Sequence, residues 1–149
     1  MRTLHFFDCS AIALTMMIAL AVWVGAASAD DLAGSDRFLC TPIQATLCVE
    51  DGECAVEIPW NVNIPQFIEV DLEAKRLATT EASGENRQTP IEHLRRVDGN
   101  IVFHGFEMGR AFSWVIDEAS GRVTVAIATD GISVAIFGAC TPAAGDGKE

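Results

Sequence analysis

The sequence contains no tyrosine, and only ten Lys and Arg residues stand against 21 Asp and Glu. The resulting net charge of −11 repels phosphate backbones and anionic lipid surfaces, so nucleic acid is not an expected partner. There is no Cys-x-x-Cys, no Gly-x-Ser-x-Gly and no glycine-rich phosphate loop. A thioredoxin-like redox site, a serine-hydrolase elbow and a nucleotide cradle are therefore not expected. The longest apolar run, Ala11 to Gly25, is about 15 residues, short of the roughly 20 that a spanning helix needs. No helical period continues beyond Pro59.

The apolar run has a meaning of its own. Arg2 precedes it, and Ala27-Ser28-Ala29 follows with the small-x-small pattern that signal peptidase cuts. Residues 1–29 are expected to be a cleaved signal peptide, leaving Asp30 to Glu149 as one domain without a membrane span. Cys9 lies before the apolar core, in Phe-Phe-Asp-Cys, and is not placed for lipid attachment. The remaining cysteines are Cys40, Cys48, Cys54 and Cys140. An even number after an export signal predicts two disulfides in an oxidising space, the periplasm or the outside of the cell.

Short β-type segments then alternate with turn dipeptides: Glu73-Ala74, Asp98-Gly99, Met108-Gly109, Ser120-Gly121 and Asp130-Gly131. This spacing predicts an antiparallel meander, because Asp-Gly supplies the positive φ that tight hairpins require. Two-residue loops at 98–99, 108–109 and 130–131, with a four-residue loop at 118–121, fix a register. Leu94 then faces Phe103, Phe103 faces Trp114, Trp114 faces Val125, and Val125 faces Ile136. A slip of one residue would invert the faces. Instead one face collects Leu94, Ile101, Phe103, Phe112, Trp114, Ile116, Val123, Val125, Ile127, Val134 and Ile136, the expected core. Gly105 falls opposite Phe112, where a ring can cover it. Glu107 faces Arg110, read as an exposed strand-end pair.

Upstream, Phe67–Leu72 and Arg76–Thr80 form another expected hairpin, with Ile68, Val70 and Leu77 inward. Glu81–Thr89 reads as the longest loop. Thr41-Pro42 either caps a short helix or ends a strand, and a hairpin from Ala45 to Ile58 turns at Asp51-Gly52. Cys48 and Cys54 are equidistant from Asp51, so they are expected to pair, leaving Cys40 with Cys140. A link between the first and last strands makes them neighbours. The expected architecture is thus an all-β, up-and-down meander closing into a barrel of about eight strands. A two-sheet sandwich is the alternative.

Few residues suggest chemistry. His93 and His104 lie opposite each other on the outward face, with Ser113 next to them. The pair can serve as a metal site or a protonation switch, although a third ligand is missing from its row. An outward strand face offers no cleft for a Ser–His catalytic pair, so a non-enzymatic role without cofactor is expected. Glu69, Asp71 and Glu92 read as solvated carboxylates. The outward face of the last strands is unusually apolar: Val102, Phe106, Ala111, Val115, Ala126, Ala128, Ala135 and Phe137. Val102, Phe106, Val115 and Phe137 are its candidate contact surface for a protein partner or for self-association, unless another segment covers them. Trp60 is read as a plug of the core, with a loop anchor as the alternative.

Phe38-Leu39-Cys40-Thr41-Pro42 and Phe137-Gly138-Ala139-Cys140-Thr141-Pro142 resemble segments of uncharacterised exported bacterial proteins of similar size. So does Val115-Ile116-Asp117 leading into Ser120-Gly121. The architecture is similar to small calycin-type barrels, among them periplasmic lysozyme inhibitors, which carry a Ser-Gly loop near an aromatic residue. Here Arg122-Val123 follows Ser120-Gly121, so the resemblance implies fold and compartment but no inhibitory activity. The function expected is a non-enzymatic, disulfide-stabilised module that binds a protein or small ligand. A metal- or pH-responsive module built on the histidine pair is the alternative.

Overall fold

The computed structural model describes residues 31–143; the expected signal peptide and its cleavage point lie outside them. Ten strands are present: β1 Arg37–Val49, β2 Cys54–Glu57, β3 Ile68–Asp71, β4 Arg76–Thr79, β5 Gln88–Pro90, β6 His93–Val97, β7 Asn100–Glu107, β8 Arg110–Asp117, β9 Arg122–Thr129 and β10 Ile132–Pro142. Single 3-10 turns occur at Pro59–Val62 and Glu81–Ser83. There is no α-helix among the described residues, and hence none long and apolar enough to cross a membrane.

All ten strands belong to one antiparallel sheet, ordered β5-β4-β3-β1-β10-β9-β8-β7-β6, with β2 attached to β1. The sheet curls into a half-barrel. The expected count of about eight strands is exceeded for two reasons. β1 is long enough to pair with β3 through Arg37–Cys40 and with β2 through Ala45–Cys48. Residues 88–97 are divided by Ile91 and Glu92 into β5, which pairs with β4, and β6, which pairs with β7.

The turn-derived register holds at every strand from β6 to β10. Leu94 faces Phe103, Phe103 faces Trp114, Trp114 faces Val125, and Val125 faces Ile136. Asp98 and Met108 take left-handed backbone at φ near 50°, each followed by a glycine with positive φ, the pair of conformations that a type I′ turn demands. Consequently Ile101, Phe103, Phe112, Trp114, Ile116, Val123, Val125 and Ile136 are buried, with Leu94, Ile127 and Val134 packed at their margin. Phe103 and Trp114 stack with centroids 5.3 Å apart. The β3–β4 hairpin buries Ile68, Val70 and Leu77 as expected.

Both disulfides join directly paired residues. Cys40–Cys140 ties β1 to β10 on the core side, and Cys48–Cys54 ties β1 to β2. Three local expectations are corrected. Thr41-Pro42 neither caps a helix nor ends a strand: β1 runs through it with an irregularity between Pro42 and Gln44, which accommodates a residue lacking a ladder donor. Gly138 makes this possible, since a Cβ there would lie 2.5 Å from the Thr41 carbonyl oxygen. Trp60 is not a core plug but is 60% exposed; its neighbour Pro59 is buried instead. The polar stretch 81–89 is only partly loop, because it contains a 3-10 turn and its end enters β5, where Thr89 is buried.

Candidate functional site

The sheet presents two candidate surfaces, one on each side of the ribbon. On the outward side, Val102, Val115, Thr124 and Phe137 form one cross-strand row over β7–β10. Phe106, Ala111, Ala128 and Ser133 form another, and His104, Ser113, Ala126 and Ala135 lie between them. No charged side chain enters these three rows. Val115, Phe137 and Phe106 are 42, 47 and 54% exposed, while Val102 is half-buried. The segment before Ile64 does not fold back over them. It supplies Val56 instead, at the β2 end of the histidine row and 70% exposed.

His93 and His104 are directly paired, both exposed, with ring centroids 4.7 Å apart and planes inclined by 26°. Stacked rings turn faces, not nitrogen lone pairs, toward each other. Among the described residues no cluster of three His, Cys, Asp or Glu side chains is arranged to hold a metal. Ser113 adjoins His104, as expected, on the same open surface.

The inward side holds a site that the sequence analysis missed. Between the Ile64-Pro65 segment, β4 and strands β7–β10 lies a partly open cavity of about 70 Å³. Its walls are apolar, with Ile64, Leu77, Phe112, Trp114, Val125 and Ile127 among them, and its rim is charged. Arg87 Nε and Nη2 donate to the two Glu107 carboxylate oxygens at 3.3 and 2.9 Å. Arg87 Nη1 donates to Glu85 at 3.1 Å and to the Asn63 carbonyl oxygen at 3.4 Å. Arg110 Nη2 lies 4.0 Å from Glu107.

Burial works against the Glu107 charge, but hydrogen bonds from Arg87 and Thr89 and the charges of Arg87 and Arg110 outweigh it. Its carboxyl is held below the ordinary range. Glu107 and Arg110 are thus not the exposed pair expected from sequence: each side chain is 23% exposed and belongs to a network. Parity gives the signal, because an outward Phe106 makes Glu107 and Arg110 inward. Arg87 carried none, lying in an apparent loop.

The opposite end of the interior is closed. Leu32 is fully buried and donates its N–H to the Glu118 carbonyl oxygen, and Arg96 joins Asp36, Glu118 and the Ser35 carbonyl. Nearby, Ser120 donates to Asp117 from both its N–H and its hydroxyl, and these bonds keep the Asp117 carboxyl below its usual range. The carboxylates Glu69 and Glu92 are exposed and Asp71 is half-buried between Arg37 and Arg76. The two disulfides point to an oxidising, extracytoplasmic environment. Comparison with family models, curated proteins and solved structures gives no match to this chain.

Proposed function

We propose that the protein is an exported, non-enzymatic binding module of the periplasm or cell exterior that associates with a second copy of this chain through the outward face of β7–β10. The signal-like start and the paired cysteines support the compartment, and the exposed Val115, Phe137 and Phe106, with the half-buried Val102, carry the contact. Four strands at about 4.8 Å spacing and the five residues spanned by the three rows, at about 3.4 Å each, make a field of roughly 330 Å². That is the size at which apolar patches tend to be functional. It is less than the roughly 800 Å² per partner of stable complexes, so the contact belongs with weak, reversible ones. Phe106→Asp and Phe137→Asp are expected to abolish association, a readout on the protein itself.

We further read the sheet as a closed barrel whose last seam is residues 88–97. Ile91 N–H bonds to the Lys75 carbonyl oxygen and Glu92 N–H to that of His104, so adjacent residues reach toward β4 and β7. This supports a rigid convex surface without long exposed edges. A second reading rests on the direct cross-strand pairing of two exposed histidines: with one ring turned out of the stack, His93 and His104 act as a two-ligand surface site for a transition-metal ion. Calorimetric titration with zinc, with His104→Ala as the comparison, is expected to show weak heat in the parent alone. Equal heats end that reading.

A further inference from the structure

Independently of the outward face, we propose that the cavity under the Arg87–Glu107–Arg110 rim binds a short aliphatic carboxylate, tail inward and head on Arg110. Size sets the tail. The cavity of about 70 Å³ is about half the roughly 150 Å³ of an apolar cavity that admits benzene. Three or so aliphatic carbons fill it, and a long acyl chain does not fit. The walls Phe112, Trp114, Val125 and Ile127 offer such a tail no hydrogen-bonding group except the Trp114 indole N–H. A polar tail would therefore enter at a desolvation cost.

The rim sets the head. Arg87 is fully engaged, since its Nε, Nη1 and Nη2 all donate to Glu107, Glu85 and Asn63. Arg110 is different. Its side chain lines the cavity and is 23% exposed, and the Glu107 oxygen 4.0 Å from its Nη2 already accepts from Arg87. Arg110 makes no hydrogen bond to any described residue. A carboxylate at the rim accepts from two of the uncommitted Arg110 N–H groups in a charge-assisted, bidentate pair. Arg87 and Arg110 stand against Glu85 and Glu107 at this rim, so an entering carboxylate meets no net negative charge there, and two bonds from Arg87 hold Glu107 in place.

The test is an NMR titration of the protein, both disulfides formed, with isobutyrate, isobutyramide and octanoate, following the Trp114 indole N–H. Isobutyrate is expected to shift that signal and saturate in the millimolar range. Isobutyramide should bind at least ten-fold more weakly, and octanoate no better than isobutyrate. Arg110→Gln should weaken isobutyrate by at least ten-fold, and Val125→Leu, which adds a methylene to the cavity, by a similar factor. Equal response to acid and amide, an unmoved Trp114, or unchanged binding by Arg110→Gln overturns the proposal; tighter octanoate binding overturns its size limit. If a variant does not fold, the acid–amide comparison on the parent protein decides alone.

Discussion

At the residue scale, single atoms decide how closely neighbouring segments of the ribbon can approach. A Cβ on Gly105 would lie 2.6 Å from the Phe112 ring and 2.8 Å from the Pro90 carbonyl oxygen. The glycine therefore admits both the ring that covers it and the 88–92 segment that crosses it. Gly105→Ala is expected to destabilise the fold by about 1–3 kcal/mol, as overpacking does. Denaturant unfolding measures this. Glu107 makes a second prediction. Its folded carboxyl sits below the ordinary range, so the unfolded chain binds the extra proton first. The stabilisation is complete above the ordinary Glu range and is lost as the pH falls through the depressed value. Thermal unfolding of the parent and Glu107→Gln should therefore differ most near neutrality and converge in acid.

At the scale of elements, legibility followed turn chemistry. β6 to β10 could be read residue by residue because Asp98-Gly99, Met108-Gly109 and Asp130-Gly131 admit one loop length each, and parity did the rest. Cys48 and Cys54 were legible for the same reason, through Asp51-Gly52. Pro42 misled because its meaning depends on Gly138, almost one hundred residues away, giving the strand room to bend. Trp60 misled because burial follows where a 3-10 turn points, not side-chain size. The cavity was illegible since Arg87, Ile64 and Pro65 reach it only through tertiary packing. The two staples also differ in weight. The chain-entropy model gives about 4.7 kcal/mol for a closed loop of the Cys40–Cys140 span and about 2–2.5 for that of Cys48–Cys54. Unfolding of the two double Cys→Ser proteins should show the larger loss for the Cys40/Cys140 pair.

At the scale of the whole molecule, the two sides of one ribbon carry different tasks. The inner side consumes the aromatic and β-branched residues in a core that narrows to a charged rim. The outer side of β7–β10 keeps three rows free of charge on a chain of net charge −11. Repulsion between such chains is screened beyond about 8 Å at physiological salt, so these three carboxylate-free rows are where two molecules can touch. The direct test is light scattering over a concentration series into the hundreds of micromolar, on the oxidised protein and on the Phe106→Asp/Phe137→Asp double variant. The apparent mass should rise with concentration for the parent and stay at one chain for the variant. Equal masses and equal solubility for both proteins at every concentration would contradict the assignment of this face as a contact surface.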